Sequence, residues 1–568
     1  MRGDSSSDDD SDGGGDTDNA GLESLREELD MASEVGQLLL SPLRSKGQVD
    51  NDDCPDSDDE SGDANPPLES TSLVSAIFCL LGVGTLLPWN AFISSEPYFH
   101  ARLCSLFGDG GGGGIELYFG LCFNVCGFLS LIVVISTAMK RQEANDANVE
   151  TSSNANNNAR GPVLWALSLY LSLFLVTTGA VLVEDLDPFL FLVATLLSLS
   201  VFGSCLAIAG TKIVGIASIF PPQVAIAPFF AGQATGGALI SLTNFISATA
   251  ENPQPFWDEN CHGKNRTAND FFIFEGEGLS SNECPTYRVD MPTFCYFLLG
   301  SLILMLCIVG FVCLDRLAIT KHYRRLASGE SSHTHNAGDE IEENADELTL
   351  PSSNDLTQPL LADEMLPEYP GGDDEINDGD LTSSQASVRC VLSSIRFPGL
   401  AIFMTSFVTL SIFPAFTSTM QSVSMCEETH RLENDLFEPL GFILFNCPDL
   451  LARIVAPIFI DIRSIQRQPR LLFVSSAARL IFFPLFMFAK SSSTDLPYVN
   501  SDLYSISVAI MFAFSNGLLM SLCFMVAPQL LPDNSTELTR QRGSDFMNLS
   551  LALGLLSGSF ASFFFNRL

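Results

Sequence analysis

Eleven apolar runs of about 20 residues recur between Leu73 and Leu568, and that length spans the ~30 Å hydrocarbon core of a bilayer as a helix. Lipid offers no partner to backbone N–H and C=O groups, so a run of this kind must satisfy them within itself. The centres fall near Cys79, Cys126, Tyr170, Ala194, Ala231, Leu302, Ser406, Asn446, Ala477, Phe512 and Leu555. Pro188–Ser247 is nearly continuous and is split at "SIFPPQ", since proline lacks an N–H and disfavours helix at the residue before it. The expected fold class is an all-α polytopic membrane protein with eleven transmembrane helices.

A formal net charge of −39 sits oddly beside 46% hydrophobic residues until the two are located. Residues 1–70 hold 21 acids and four bases, and residues 326–388 hold 16 acids and no base. Such tracts bury too little apolar surface to offset the entropy of ordering. The expected organisation is an acidic, disordered cytoplasmic segment over 1–71, helices one to six over 72–315, a second acidic cytoplasmic segment over 316–389, and helices seven to eleven over 390–568. The first residues lack the basic start and short apolar run of a signal peptide. Ser5–Ser11 suits an acid-directed kinase, and "EVGQLL" (Glu34–Leu39) fits an acidic-dileucine sorting pattern; solvated linker and a short apolar helix stripe are the preferred readings of the two.

Orientation follows from bases near the span ends. Lys140, Arg141 and Arg160 follow the second span; Arg316, Lys321, Arg324 and Arg325 the sixth; Arg463, Arg467 and Arg470 the eighth; Arg540 and Arg542 the tenth. All four groups share one side if the chain starts in the cytoplasm, which puts Leu568 outside. The extracellular loop, about 248–291, then carries the glycosylation acceptor Asn265 in "NRT", with Cys261 and Cys284 close enough in sequence for a disulfide outside the cytosol. Sequons at Asn534 and Asn548 fall on the inner side and within a span, and are expected to be unused.

Ionisable residues within spans cost roughly 2.5–3.5 kcal/mol at mid-helix and so face the bundle interior or a wet cavity. Asn446, Asp449 and Arg453 in "FEPLGFILFNCPDLLARIVAPIF" are spaced i, i+3, i+7 on one helical face, and the two charges can pair at i, i+4. They are the leading binding candidates; an ion pair that only joins helices is the bland alternative. Lys212, Gln233, Arg479 and Asn516 are candidates for gating, coupling or support, with Gly232 and Gly236 read as helix packing. Trp89 and Asn90 in "GTLLPWNAFISSEPYF" offer an indole and an amide beside Pro88, suited to a ligand with a ring and a polar end. No phosphate-binding loop, metal-ligand pair or hydrolase elbow occurs, and His333 and His335 lie in an acidic tract. No enzyme activity, cofactor, metal or nucleic-acid partner is expected.

These motifs resemble the equilibrative nucleoside transporters. "GTLLPWNAFISSEPYF" is similar to that family's first-helix signature, "FNCPDLLAR" to its eighth helix, and "LSIFPAFTS", "AARLIFFPLF" and "FSNG" to its seventh, ninth and tenth, in order. The resemblance covers roughly residues 72–568. It implies facilitative transport of nucleosides or nucleobases by alternating access, with helices one to six and seven to eleven as two bundles of a major-facilitator-like architecture. It also implies Asp449 and Arg453 at the ribose hydroxyls, Trp89 near the base, and Leu86, Ile93 and Asn446 lining the pocket. The plasma membrane is the expected location, with an endolysosomal membrane as the alternative. Two departures stand out. Pro188–Phe220 contains no glutamine where animal members carry one, and offers Lys212 as protist members do; Ala452 replaces the usual glycine before the arginine. A battenin-like lysosomal protein, a carrier of another small polar solute and a non-transporting scaffold are the alternative readings, and proton coupling is left open.

Overall fold

The computed structural model describes residues 68–107, 115–147, 160–250, 253, 256–257, 261, 291–328, 383–413, 421–426, 430–490, 501–532 and 537–565. Asn265, Cys284, Asn534, His333, His335, Ser5–Ser11 and Glu34–Leu39 lie outside them, as do most of the two acidic segments.

The described residues form helices and connections, with no strand among them. In chain order the first set is α1 Leu68–Ser94, α2 Glu96–Phe107, α3 Ile115–Ala147, α4 Arg160–Val181, α5 Pro188–Ala217, α6 Ile226–Ala250, α7 Met291–Arg316 and α8 Ala318–Ser328. The second is α9 Ser383–Ile412, α10 Phe437–Phe459, α11 Ile462–Arg467, α12 Arg470–Ala478, α13 Phe482–Lys490, α14 Asp502–Val526 and α15 Glu537–Phe565. A 3-10 turn, Arg479–Ile481, joins α12 to α13.

Among the described residues nine helical stretches are long and apolar enough to cross a membrane. The expected spans near Ala231 and Leu555 are α6 and α15, helices of 25 and 29 residues. Small residues lower the hydropathy of α6, and a polar opening, "ELTRQRGSD", that of α15. The break at "SIFPPQ" falls between α5 and α6, and at the other end of α5 Asp187 caps the helix start by accepting from the Leu190 N–H at 2.8 Å.

Helices pack into two sets. In the first, α1 lies against α6 and α7, α3 against α5, and α4 against α5 and α7. In the second, α9 lies against α15, α12 and α14, and α10 against α14. The sets meet where α10 crosses α6 and where α15 crosses α3 and α5. The closest approach within the first set needs glycine. A Cβ on Gly82 would run into the Phe229 carbonyl, and one on Gly232 into that of Cys79, so "GQATGG" is a backbone contact between α1 and α6.

The end of the bundle at which α4 finishes is tied by Arg102 on α2, whose guanidinium donates to the carbonyls of Ala180, Val183 and Glu184. Ala180 and Glu184 also accept the backbone N–H groups of Val183 and Leu186, each at 3.3 Å, so Arg102 supplements the turn that ends α4. Tyr98 and Phe99 of the same helix pack in an aromatic cluster with Phe119, Phe191 and Phe297. At the opposite end Asp315 pairs with Arg160 at 3.4 Å and Arg324 at 3.0 Å, and Gln466 bonds Gln529.

The expected pairing of Cys261 with Cys284 is overturned. Cys261 is bonded to Cys426, 165 residues further along, and Cys104 is disulfide-bonded as well. Nearness in sequence favoured a bridge within one loop, but the fold carries the segment between α9 and α10 to the end of α6. Arg431 fixes it there, donating to the carbonyls of Thr249 at 2.7 Å and Ala248 at 2.8 Å while pairing with Asp435. Asn434 accepts from the Cys426 N–H at 2.9 Å. Peptide mapping of the unreduced protein by mass spectrometry should therefore yield a Cys261–Cys426 cross-link. A cross-link from Cys261 to Cys284 would contradict this geometry.

Candidate functional site

Where the two helix sets meet they enclose a cavity of about 260 Å³. Aromatic and aliphatic side chains dominate its wall. Trp89 and Phe123 stack at 4.5 Å between ring centroids, and Phe413 and Phe445 at 3.8 Å. One pair comes from the first helix set and the other from the second, so a flat ligand between them would touch both.

The polar part of the wall is built on α10. Asp449 and Arg453 are 4% and 5% exposed, too buried to exchange with bulk water. A buried ion pair needs further hydrogen bonds to offset its desolvation, and this one has them. Arg453 Nε donates to Asp449 Oδ2 at 2.9 Å and Nη1 to the Phe230 carbonyl at 3.1 Å, while Asn516 Nδ2 donates to Asp449 Oδ1 at 2.7 Å. A carboxylate offers about four lone-pair sites and a guanidinium five N–H donors. Capacity for a ligand's hydroxyl groups therefore remains on both.

Behind this pair lies a second buried cation. Arg479 donates to Ser515 Oγ at 3.0 Å, to the Thr405 carbonyl and Thr409 Oγ1 at 2.9 Å each, and to the Phe512 carbonyl at 3.2 Å, with its guanidinium 4.9 Å from the Phe512 ring centroid. Thr409 in turn donates to Asn516 Oδ1 at 2.7 Å. The chain Arg479–Thr409–Asn516–Asp449 joins α9, α10, α14 and the 3-10 turn before α13.

On the other side Asn446 donates to Ser241 Oγ at 2.7 Å and to the Phe442 carbonyl at 3.0 Å, linking α10 to α6. Gly237 leaves the space that the side chains of Asn446 and Asn90 occupy.

Of the residues singled out from sequence, Leu86, Trp89, Asn90, Gln233, Asn446, Asp449, Arg453 and Asn516 all line the cavity. Ile93 does not; it is 6% exposed, one turn beyond Trp89 in the core of the first helix set. Arg479 stands behind the wall. Lys212 points away from the cavity, half-buried, and acts electrostatically on Asp545 of α15 together with Arg542. Ala452 is fully buried in the packing of α10.

Sequence reasoning missed Phe123, Asn124, Ser406, Thr409, Phe445 and Asn548, which also line the cavity. Asn124 carried the signal that marked Asn446, a lone amide inside an apolar run. Asn548 was read only as an unused sequon. Ser406 and Thr409 look in sequence like any span hydroxyl.

With this geometry in view, the matching family model and the curated relatives agree on one family. A family model described as "Nucleoside transporter" matches residues 280–567. Equilibrative nucleoside transporter 2 of Mus musculus is 28% identical over 516 residues, covering 89% of this chain and 99% of the relative. Equilibrative nucleoside transporter 2 of Homo sapiens is 27% identical over 529 residues, with the same two coverages. Among solved structures, the proton:xylose symporter XylE aligns at a TM-score of 0.46 and 10% identity, over 88% of this chain and 87% of that one.

The tight joint beneath Asp449 gives a structural test. A Cβ on Gly517 would collide with the Asp449 carbonyl, so Gly517→Ala must push α14 from α10, at a cost of about 1–3 kcal/mol. Gly179→Ala meets nothing within 4 Å. Thermal melting of detergent-purified protein should fall clearly for Gly517→Ala and stay unchanged or rise for Gly179→Ala.

Proposed function

The chain belongs to the nucleoside transporter family, and we propose that it carries nucleosides across a membrane by facilitated alternating access, its two helix sets rocking about the cavity they share. The observation that carries this reading is the buried Asp449–Arg453 pair, which keeps unused hydrogen-bonding capacity at the wall of an aromatic cavity. A nucleoside has the matching character. Its ribose hydroxyls can donate to Asp449 and accept from Arg453, and its base can lie between the Trp89–Phe123 and Phe413–Phe445 stacks. Asn446, Asn516 and Arg479 hold Asp449 and its helix in position, while Leu86, Asn90 and Gln233 complete the wall.

Alternating access requires the contacts between the two sets to form and break in turn. On this reading Arg431, which clips the α9–α10 segment to the α6 carbonyls, closes one end. Lys212 with Asp545, and Arg540 with the Ser218 carbonyl at 3.5 Å, belong to the other. The basic residues at the second end favour a cytoplasmic position for it, and the disulfides at the first favour an oxidising compartment. The amino terminus would then be cytoplasmic, Leu568 extracellular, Asn265 a glycosylation acceptor, and the plasma membrane the residence.

Uptake of radiolabelled adenosine and uridine, by cells with matched surface levels of wild type and Asp449→Ala, tests the reading. Wild-type uptake should saturate, yield to excess unlabelled nucleoside, and keep its initial rate when a protonophore collapses the proton gradient. The variant leaves Arg453 unpaired in the interior, which costs several kcal/mol, so its uptake should fall by about two orders of magnitude. Well-expressed wild type that moves neither label would overturn the proposal. Uptake surviving in Asp449→Ala would overturn the assigned pocket.

A further inference from the structure

Hydroxyl groups inside the helices of this protein mostly bond back to their own backbone. Thr211 donates to the Ala207 carbonyl at 2.6 Å, Ser241 to Gly237 at 2.8 Å, Ser301 to Phe297 at 2.9 Å, and Ser411 to Phe407 at 2.7 Å. That habit is general for serine and threonine in helices, and in an apolar medium it removes the penalty of an unmatched donor. Among the described residues three aliphatic hydroxyls are buried with no partner: Thr320, Ser406 and Ser521. Thr320 and Ser521 are packed away from the cavity. Ser406, 2% exposed, lines it.

Ser406 also stands in a telling place. It lies one turn before Thr409 on α9, about 4.5 Å along the axis, and Thr409 is already bonded through Asn516 to Asp449. The hydroxyl is therefore on the helix that carries the network yet outside the network itself. Asn124 lines the cavity from α3. Its amide nitrogen donates to the Gly120 carbonyl at 2.8 Å and to Ser559 Oγ at 3.0 Å, which uses both N–H bonds and leaves the carbonyl oxygen as an acceptor. Gly558, beside Ser559, packs directly on Phe407, Leu410 and Ser411 of α9. Gly554, four residues earlier on α15, meets Phe403 and Ser406, so the Asn124–Ser559 bond lies about one helical turn along from Ser406. The wall thus has a second, uncharged pole, drawn from both helix sets.

We infer that Ser406, with Asn124 also at the cavity wall, reads the heteroatom edge of the nucleobase while Asp449 and Arg453 hold the sugar. The inference rests on the nucleoside-transport reading and adds to it the residue that sets base selectivity. A serine hydroxyl both donates and accepts, so it can meet an amino group, a ring nitrogen or a carbonyl oxygen. The Asn124 carbonyl accepts alone and favours a base that presents an amino or imino hydrogen. The arrangement accounts for base recognition without a glutamine on α5, a helix that faces the cavity with Gly203, Leu206, Ala207 and Gly210.

The experiment is concentration-dependent uptake by surface-matched wild type and Ser406→Ala, using adenosine, uridine and benzimidazole riboside. The last keeps the ribose and ring shape but has no heteroatom on the six-membered edge. Loss of one neutral hydrogen bond should raise KM for adenosine, uridine or both by about three- to tenfold, with maximal rate unchanged and with no change for benzimidazole riboside. Ser406→Cys, nearly isosteric and a weaker hydrogen-bonding group, should give the same pattern and replaces the alanine variant if that fails to reach the surface. An equal shift for all three substrates, or no shift for any, would overturn the inference and leave nucleoside transport standing. Wild type that carries neither adenosine nor uridine would instead remove the reading beneath it.

Discussion

A carboxylate and a guanidinium only 4% and 5% exposed within the helix bundle set the terms for the second half of this protein. Isolated in an apolar interior, either charge would be too costly to keep, so Asp449 and Arg453 hold each other and recruit company. Asn516 must approach from α14, which requires a glycine at 517 to let the backbones touch. The Phe230 carbonyl must approach from α6, which draws the first helix set against α10. Arg479, buried in turn, is satisfied by carbonyl and hydroxyl oxygens of α9 and α14. The polar network is small, but four helical segments take their spacing from it. It is also where the two sets are joined, so a ligand that competes for these bonds acts on the joint itself.

Much of this was legible in the chain. The apolar runs marked every long helix, because in lipid the demand for internal hydrogen bonding leaves helices as the solution once run length is known. Asn446, Asp449 and Arg453 were legible for the same reason: polar groups in an apolar run advertise their expense, and their spacing gives a shared face. Trp89 was found by its neighbours Pro88 and Asn90. Other features were not legible. Whether Ile93 or Leu86 faces a cavity depends on how α1 is rotated against α6, which the Gly82–Gly232 contact fixes and no local pattern announces. Phe123 and Phe445 were lost among 44 phenylalanines. The partner of Cys261 was misjudged because a disulfide depends on loop positions in space, and loops between spans carry no periodicity from which to infer them.

The two ends of the bundle are held differently, and the difference bears on motion. At the disulfide end a covalent bond and the Arg431 clip join segments of both sets. At the opposite end the polar contacts between sets include a 3.5 Å hydrogen bond from Arg540 and the electrostatic influence of Lys212 on Asp545. Charge attraction falls off gently with distance, whereas hydrogen bonds fail within a fraction of an ångström. A rocking motion that parts the disulfide end must break the Arg431 contacts outright. The disulfide does not forbid that step, since Cys261 and Cys426 both sit in connections between helices and not on the helices themselves.

Carriers must release what they bind, and this constrains how a pocket can be polar. A site with every group unsatisfied would hold its ligand too firmly and stand costly when empty. Here the empty state is nearly balanced: Asp449, Arg453, Asn446 and Asn516 each have protein partners and retain only their spare capacity for a substrate. The sugar thus exchanges with bonds that already exist, which keeps the bound and empty states close in energy. Ser406 breaks that pattern, being buried with nothing to bond. A single unmet hydroxyl is a small penalty in the empty carrier, relieved only by a ligand with a heteroatom at that point. On the proposed reading, discrimination between bases is strong relative to overall affinity, because the satisfied charged pair would meet the sugar that all nucleosides share and the unsatisfied group the part in which they differ.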